Sequence, residues 1–326
     1  MSLDCRSLGT GFALNPLDPR FVLRARRTGV PRMPAVDSGT ALYSLNEREF
    51  QLFRSLIHSR TGIWLRDGKQ IMLASRLGRR LRHYGMTSFA EYYQLLQAGG
   101  NEGEIGELIN CVTTNKTSFF REQHHFDFLA QTVVPEILSS PTRSHAKTIS
   151  IWSAACSTGE EPYSIAITLQ EALRGPRAYS ASSGWQIHIT ASDIDTRVLE
   201  TAQQGIYDSN ILDSVPLDCQ KRYFLRGKGT MEGCVKVKDT LKSMVEFQRI
   251  NLMDAVWPLK GPFDVIFFRN ALIYFQQETQ DAFLRRMARL LRPRGYLFLG
   301  HSEHIPWLHD LLEPLNKTMY RLRNHK

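Results

Sequence analysis

Short apolar segments of strand type alternate with segments of helical period through the second half of the chain, from about Thr148 onward. This alternation restricts the fold most, because it is typical of a mostly parallel sheet with helices on both faces. Strands are predicted over residues 148–154, 186–191, 263–268 and 296–299. Helices are predicted beside them over residues 160–173, 196–203 and 278–291. The fold class is therefore α/β.

The period of the apolar residues changes between Tyr223 and Ile250. Residues 234–238 alternate apolar and basic side chains, and residues 244–247 follow after a short gap. The glycine-rich residues 226–229 precede both segments. Alternation with period two is typical of half-buried strands. We predict a small antiparallel β insertion at about 222–250, between two strands of the main sheet.

The first part of the chain has a helical pattern instead. Apolar side chains recur at three- and four-residue spacing from Ser44, and we predict helices that begin near residue 47 and that cover residues 69–84, 88–96 and 102–111. They would form a helical domain of roughly 70 residues, a size that usually needs support from a neighbour. Residues 1–40 contain four Pro, four Gly and six Arg without a sustained period, which predicts a flexible tail. The predicted domains are 1–40, 41–112 and 113–326.

Charge and cysteine content indicate the compartment and the class of partner. The chain lacks a run of about 18 apolar residues, so no membrane-spanning helix is predicted, and its first residues lack a secretory pattern. The cysteines are odd in number and have no CxxC spacing, which argues against a disulfide framework or a zinc site and favours the reducing cytoplasm. They are Cys5, Cys111, Cys156, Cys219 and Cys234. A formal net charge of +9 implies an acidic partner.

Residues 151–162, Ile-Trp-Ser-Ala-Ala-Cys-Ser-Thr-Gly-Glu-Glu-Pro, lead from the first strand through small side chains into a helix. Small side chains let a ligand approach the backbone, and the start of a helix presents unpaired N–H groups. The loop has neither GxGxxG nor the Gly-Lys-Ser/Thr of a P-loop, and its two glutamates would repel a pyrophosphate. They suit a cationic ligand, such as the amino and sulfonium groups of S-adenosylmethionine. Glu161 is the predicted ligand contact, whereas Glu160 is assigned to the helix dipole.

Two acids follow the second predicted strand, in the sequence Ala-Ser-Asp-Ile-Asp at residues 191–195. A carboxylate in this place of a nucleotide-binding sheet typically accepts hydrogen bonds from ribose hydroxyls. Asp193 lies nearer the strand and is the predicted ribose contact. Asp195 is predicted to cap the helix that begins at Thr196.

Several segments in a fixed order carry a family pattern. They are residues 114–122 (TNKTSFFRE), 157–164 (STGEEPYS), 191–195 (ASDID), 263–275 (FDVIFFRNALIYF) and 300–303 (GHSE). Together they resemble the chemotaxis receptor methyltransferase family, the CheR-type protein-glutamate O-methyltransferases. The resemblance extends from about Ser44 to the C-terminus. It implies a Rossmann-like class I S-adenosylmethionine-dependent methyltransferase sheet, with a small antiparallel β insertion and an N-terminal all-helical domain.

The resemblance also implies an activity. Members of the family transfer a methyl group from S-adenosylmethionine to glutamate side chains of methyl-accepting chemoreceptors, which yields glutamate methyl esters and S-adenosylhomocysteine for sensory adaptation in bacterial chemotaxis. The residues that match the family's cofactor-binding positions are Asn115, Thr117, Arg121, Glu161, Asp193, Asn251, Leu252, Arg269 and Asn270. The chain departs from the pattern at Ala155, where many relatives have Gly, and at Phe268, where Cys is common. Ala155 is small enough to leave room for the cofactor.

This chemistry needs few residue types. A glutamate carboxylate is already ionised near neutrality, so its reaction needs no general base. The cofactor brings an activated methyl group, and the protein has to align the reacting atoms. A Ser-His-Asp arrangement and a metal-ligand spacing are accordingly absent from the sequence, and no metal is predicted.

Arg121 and Tyr274 are the predicted catalytic residues. The Arg121 guanidinium would hold a carboxylate in a bidentate fork, either that of the substrate glutamate or that of the cofactor. The alternatives are a surface ion pair with Glu122 for Arg121 and a place in the core for Tyr274. His124 and His125 are predicted to be structural, because adjacent residues on a helix face different directions.

The second predicted helix has a basic face beside an apolar stripe formed by Leu73, Leu77, Leu81 and Tyr84. The basic residues are Lys69, Arg76, Arg79 and Arg80. Such a face is usually a solvated surface, but a one-sided charge also attracts a helix that bears glutamates. We predict that it docks the cytoplasmic domains of membrane chemoreceptors. In the family a receptor's C-terminal peptide can add to the inserted strands, which is left open here. We expect a monomer that neither binds nucleic acid nor inserts into a membrane.

Two other functions remain as alternatives. A nucleic-acid methyltransferase would also explain the basic charge and the cofactor fold. However, the strand at 263–268 ends in Arg269-Asn270 and not in the Asn/Asp-Pro-Pro-aromatic loop that holds a flipped base. A non-catalytic signalling module that binds receptors would keep the same fold. The intact Arg121, Glu161 and Asp193 favour an enzyme.

Overall fold

A computed structural model describes residues 43–140, 147–174, 184–316 and 318–324 of the chain. The flexible tail predicted for residues 1–40 lies outside these ranges. Within them, no helix combines the length and the apolar character that crossing a bilayer requires.

The described chain begins with a group of helices, which are α1 (Glu47–Thr61), α2 (Gln70–Tyr84), α3 (Phe89–Gln97) and α4 (Glu102–Val112). A reciprocal capping box starts α1: the Glu49 N–H donates to Asn46 Oδ1 at 2.9 Å, and the Asn46 N–H donates to Glu49 Oε2 at 3.0 Å. Helices α1 and α2 end at Gly62 and Gly85, both in the left-handed region that glycine adopts without strain. The predicted helices are confirmed to within one or two residues.

The four helices share one apolar core. The Phe53 ring of α1 stacks on the Tyr92 ring of α3, with the centroids 6.1 Å apart. The leucines of the predicted stripe on α2 are buried, whereas Tyr84 is 42% exposed. The Tyr84 hydroxyl instead donates to Glu104 of α4 at 2.9 Å, so the apolar stripe ends at Leu81.

A second helical stretch leads from these helices to the sheet. It consists of α5 (His124–Phe128), a π-helical turn (Leu129–Val133) and α6 (Val134–Ser139). Phe126 of α5 is buried and its ring stacks on Phe267, at a centroid distance of 6.0 Å. The stretch therefore packs directly against the central strands.

The strands of the described residues are β1 (Thr148–Ala154), β2 (Gln186–Asp193), β3 (Ile206–Asp208), β4 (Phe224–Arg226), β5 (Cys234–Val237), β6 (Val245–Arg249), β7 (Phe263–Phe268), β8 (Leu291–Leu299), β9 (Leu312–Asn316) and β10 (Met319–Leu322). The remaining helices are α7 (Glu160–Arg174), α8 (Thr196–Gln204), α9 (Leu217–Tyr223), α10 (Asp239–Lys242) and α11 (Gln277–Arg289).

Seven strands form the main sheet, in the order β6-β2-β1-β7-β8-β10-β9. The strands from β6 to β8 are parallel, and in the centre Ile151 of β1 aligns with Ile189 of β2 and with Val265 of β7. Strand β10 runs antiparallel between β8 and β9. Apolar clusters cover both faces of the sheet, as expected when helices flank parallel strands. The predicted α/β class is confirmed.

The small antiparallel sheet is present, but its predicted bounds of about 222–250 are wrong. It contains β3, β5 and β4 in that order, so it spans Ile206 to Val237. Strand β6 belongs to the main sheet, where Val245 aligns with Ile189 of β2 in parallel. As the outermost strand, β6 alternates in burial, and this alternation resembles that of a half-buried hairpin strand.

Cysteine usage departs in one place from the expectation. Cys111, Cys156 and Cys219 carry free thiols, whereas Cys234 of β5 is disulfide-bonded. The odd number of cysteines argued against disulfides, and the state of Cys234 departs from that expectation.

Candidate active site

A cavity of about 430 Å³ lies at the carboxyl ends of β1, β2 and β7. Open parallel sheets bind ligands at this edge, and the volume is within the range of about 300–1,000 Å³ typical of small-molecule sites. The walls come from three parts of the chain: the loops after the strands, the segment between α4 and α5, and the helical region around the start of α2. Both domains thus enclose one site.

The loop after β1 brings its backbone to the cavity. Ala155, Ser157 and Gly159 all have positive φ, of 59°, 52° and 97°. At Gly159 a Cβ atom would lie 2.8 Å from the Cβ of Ala202, so the loop needs glycine there. The Ser157 N–H donates to Asp193 Oδ2 at 2.9 Å, which joins this loop to the end of β2.

Glu161 and Glu160, adjacent at the start of α7, lie in different environments. Glu161 lines the cavity, accepts from Ser153 Oγ at 2.7 Å and pairs with Arg269 Nη1 at 3.2 Å. Burial raises the pKa of Glu161, and the Arg269 guanidinium opposes that shift. Glu160 is buried outside the cavity lining and accepts from Thr158 Oγ1 at 2.6 Å. Of the two, only Glu161 can meet a ligand in the cavity.

Asp193 and Asp195 also have different structural roles. Asp193 lines the cavity and accepts from the backbone N–H groups of Ser157 and of Asp195. Burial raises the pKa of Asp193 to about 6, against the lowering effect of these hydrogen bonds. Asp195 accepts from the Arg197 and Val198 N–H groups, so its predicted role as the N-cap of α8 is confirmed.

The segment between α4 and α5 forms a second wall. Asn115 and Thr117 line the cavity, although the Asn115 amide also donates to Asp195 Oδ2 at 2.8 Å. Arg121 lines the cavity too, and its Nη1 donates to the Lys116 carbonyl at 2.9 Å. The Arg121 side chain does not form the alternative surface ion pair with Glu122. Glu122 pairs with Arg269 instead, at 3.3 Å.

Arg269 and Asn270 close the site beyond β7. The Arg269 side chain is only 2% exposed and lies between the carboxylates of Glu161 and Glu122. It also donates to the backbone carbonyl of Arg121. Asn270 has a φ of 58°, and its N–H donates to the buried Glu303 at 2.8 Å. These contacts fix the ends of β7 and β8 to the Arg121 segment.

The helical region completes the cavity from the opposite side. The Asn251 amide donates to the Arg60 carbonyl at 2.7 Å, and the Trp64 N–H donates to the Tyr274 carbonyl at 2.8 Å. Leu252 and Tyr274 line the cavity together with Asn251. The two predicted catalytic residues and all predicted cofactor-binding residues therefore surround one space, although their contacts to a ligand stay predictions.

Sequence comparison identifies the two parts of the chain. The family model described as "CheR methyltransferase, SAM binding domain" matches residues 115–321, and the one described as "CheR methyltransferase, all-alpha domain" matches residues 48–113. The chain belongs to the CheR methyltransferase family. As a CheR methyltransferase it uses S-adenosylmethionine (SAM) as the methyl donor.

Curated relatives of this CheR chain match over most of their length. The chain is 44% identical over 298 residues to a chemotaxis protein methyltransferase of Klebsiella aerogenes, covering 90% of this chain and 97% of that protein. It is 42% identical to chemotaxis protein methyltransferase 2 of Pseudomonas aeruginosa, covering 88% and 97%. The corresponding Escherichia coli protein is 43% identical, with 87% and 93% covered.

The side chains of the CheR cavity are chemically suited to the polar groups of SAM. The carboxylates of Glu161 and Asp193 could accept hydrogen bonds from its ammonium and hydroxyl groups, and the Arg121 guanidinium could pair with its carboxylate. The Arg269 Nε atom is buried without a hydrogen-bond partner. Sequence reasoning missed other lining residues, such as Trp64, Cys156 and Ile250. Their signal is weak, because each is an apolar residue or thiol that any core would accept.

The predicted docking face of α2 is only partly available in this CheR structure. Lys69 and Arg76 line the cavity, and Arg79 is exposed. Arg76 donates to the Thr113 carbonyl at 3.0 Å, which ties α2 to the segment after α4. The prediction is wrong for Arg80, because its guanidinium is held by Glu104 at 2.5 and 2.8 Å and only 13% of the side chain is exposed.

The rings of His124 and His125 lie close together, contrary to the expectation that they face different directions. The centroids lie 4.2 Å apart, and both rings approach Glu122, so the three residues offer ligand atoms within 4.8 Å of one another. His125 is buried and stacks on Phe298 at 5.3 Å. Because the Arg269 guanidinium already contacts Glu122, a metal cation would meet a like charge here. The absence of a metal stays a prediction.

Proposed function

We propose that this methyltransferase esterifies glutamate side chains of bacterial chemoreceptors during sensory adaptation. The observation that carries the proposal is the cavity lined jointly by Arg121, Glu161 and Asp193 and by the basic residues Lys69 and Arg76. The names of the curated relatives, which are chemotaxis protein methyltransferases, support the chemotactic context. The receptor glutamates are our own assignment.

Cofactor binding follows from the two buried acids. We assign Asp193 to the ribose hydroxyls, since it ends β2 at the sheet edge where ribose groups bind. We assign Glu161 to the positively charged methionine part, because each of its oxygens accepts from one protein donor, Ser153 or Arg269, and keeps a further lone pair. Asn115, Thr117, Asn251 and Leu252 would complete the contacts, and their positions on opposite walls allow them to surround the ligand.

The transfer itself requires alignment rather than proton removal. When bound, the cofactor supplies a methyl carbon on a sulfonium, which leaves as the thioether when a carboxylate oxygen bonds to that carbon. A glutamate carboxylate is ionised at neutral pH, so the chain supplies no general base. Arg121 would hold a carboxylate in a fixed orientation, and Tyr274 would border the transfer path. Positioning of this kind can lower a barrier by roughly 7–11 kcal/mol.

The partner surface would extend from the cavity along α2. Lys69, Arg76 and Arg79 give this surface a positive charge that attracts an acidic receptor helix. A receptor C-terminal peptide would add to the edge of the small sheet at β4, which pairs only with β5 among the described strands. We propose that the enzyme acts as a cytoplasmic monomer, since a single chain lines the whole cavity.

One labelling experiment tests the proposal. The full chain is incubated with methyl-labelled SAM and either receptor-bearing membranes or RNA, and the products are treated with mild base. Glutamate methyl esters release volatile labelled methanol, whereas methylated bases keep their label. We expect methanol release from the receptor sample only. Base-stable label in RNA would support a nucleic-acid methyltransferase instead.

The same experiment separates an enzyme from a binding module. A chain that binds SAM and receptors without any transfer would be a non-catalytic signalling module. Arg285 provides a matched control for an Arg121→Ala variant, since Arg285→Ala removes a half-exposed arginine of α11 outside the cavity. Loss of transfer in both variants would indicate general damage and would contradict the role of Arg121.

A further inference from the structure

The Glu122 carboxylate is contacted by side chains from two distant parts of the chain, residues 269–270 and residue 301. Its carboxylate lies 3.3 Å from Arg269 Nη2, and Asn270 Nδ2 donates to it at 3.2 Å. The His301 ring, from the loop after β8, approaches it at 3.2 Å. The Glu122 side chain is 11% exposed and is not part of the cavity wall.

The charge state of Glu122 is well defined. Burial opposes its ionisation, but the Arg269 guanidinium and the hydrogen bonds of Asn270 and His301 outweigh that effect and lower its pKa to about 2. Glu122 is therefore an anion at every pH at which the enzyme would work. No step of the methyl transfer uses this charge.

The backbone on both sides of Arg121 is constrained. Phe120 and Glu122 have positive φ values of 52° and 61°, a conformation that costs a residue with a side chain about 1–3 kcal/mol. Neighbouring groups hold it in place: the Phe120 N–H donates to Ser164 Oγ at 2.9 Å, and Arg269 donates to the Arg121 carbonyl. The direction of the Arg121 side chain thus depends on contacts made by its neighbours.

Arg269 connects these contacts to the cofactor wall. Its Nη2 atom faces Glu122 and the Arg121 carbonyl, whereas its Nη1 atom faces Glu161 at 3.2 Å. One guanidinium therefore serves two carboxylates. If the charge on Glu122 were removed, Arg269 would remain paired with Glu161, so the buried cation would stay compensated. The charge attraction between Arg269 and Glu122 would be lost, and only the hydrogen bond to the Arg121 carbonyl would still hold Arg269 to the Arg121 segment.

We propose that Glu122 is a positioning residue, whose charge anchors Arg269 and thereby directs Arg121 into the cofactor cavity. The inference rests on the proposed contact between Arg121 and the cofactor. It assigns Glu122 no contact with cofactor or substrate. Its effect on ligand binding must then pass through Arg121, and this dependence can be measured.

The test compares the affinity of the full chain for S-adenosylhomocysteine by calorimetry. Glu122→Gln should weaken binding about tenfold, a change of 1.4 kcal/mol. Glu122→Asp keeps the charge and should bind more tightly than Glu122→Gln. Glu136→Gln, which alters an acid paired with Arg321 outside the cavity, should bind as the unmodified chain does. Circular dichroism verifies that each variant is folded.

A double-variant cycle tests whether Glu122 affects ligand affinity through Arg121. If Glu122 acts through Arg121, the double variant Glu122→Gln/Arg121→Ala should bind no more weakly than Arg121→Ala alone. Additive losses would show an independent action of Glu122 and overturn the proposal, as would an aspartate variant no tighter than the glutamine one. Unchanged affinity of Arg121→Ala would overturn it as well, while methyl transfer to receptors, measured separately, would still test the proposed function.

Discussion

Replacement of Arg269 by Met tests the buried charge cluster most directly. The Arg269 side chain is 2% exposed and is the cation between Glu122 and Glu161. Met has a similar length but no charge, so the variant would leave two buried carboxylates without their guanidinium. Removal of one partner from a buried ion pair costs about 3–5 kcal/mol. We expect a loss of this size in the stability of the sheet domain at pH 8.

The loss should depend on pH in a defined direction. Burial already raises the pKa of Glu161. The pKa of Glu122 is lowered to about 2 by the attraction of Arg269 together with hydrogen bonds from Asn270 and His301. Without Arg269, the pKa of Glu161 would rise further above its unfolded value of about 4.3, and the pKa of Glu122 would rise from its depressed value. The folded variant would then bind more protons than the unfolded one, so its stability falls as the pH rises through that window. The deficit should therefore be smaller at pH 5.5 than at pH 8.

Thermal unfolding by circular dichroism at the two pH values provides the assay. For a domain of about 200 residues, 1 kcal/mol shifts the midpoint by about 2–4 °C, so the expected shift at pH 8 is about 6–20 °C. Arg285→Met is the control, because Arg285 forms exposed ion pairs with Asp281 and Asp310 that contribute little to stability. A midpoint at pH 8 equal to that of the unmodified chain, or an equal loss at both pH values, would refute the reasoning.

Three further predictions concern the cavity and its surroundings. Gly300→Ala should weaken S-adenosylhomocysteine binding, measured by calorimetry, about tenfold, because a Cβ there would lie 2.7 Å from the backbone nitrogen of Asn270. The control is Gly106→Ala in α4, whose Cβ would meet nothing within 4 Å and which should leave that affinity unchanged. Arg121→Ala should lower methyl transfer by about 100-fold or more with an unchanged dichroism spectrum, and retained transfer would contradict its catalytic role. Arg79→Glu should raise the KM for receptor without changing cofactor affinity, and an equal loss of cofactor affinity would disprove docking at that residue.

The sequence predicts those elements of the fold whose formation depends on residues close together in the chain. The strand predicted at 148–154 and the helix that begins at Glu160 coincide with β1 and α7, because apolar period and small loop residues specify both. Strand β6 was misplaced because its partner β2 lies about fifty residues earlier in the chain. A pairing over that distance leaves no signal in a short window of sequence.

The same limit applies to the site. Asp193 could be chosen by its place at a strand end, a property of neighbouring residues. The ion pair of Arg80 could not be foreseen, because Arg80, Tyr84 and Tyr92 come together around Glu104 only after α2, α3 and α4 have packed. Likewise, the sequence indicated Glu122 only as an alternative surface partner for Arg121. Its real partners are brought from residues 269 and 301 by the sheet.

Because both domains line the cavity, a bound ligand should couple their thermal unfolding. Its walls run from Thr61 in α1 to Phe275 beyond β7, and backbone hydrogen bonds such as Trp64 to Tyr274 cross between them. A ligand held by both walls stabilises the arrangement that keeps them in contact, and this stabilisation grows with the logarithm of the ligand concentration once it exceeds the dissociation constant. Saturation with S-adenosylhomocysteine should merge separate melting steps into one, and protease sites in the turn after α1 should become protected at the same ligand concentration as those after β7.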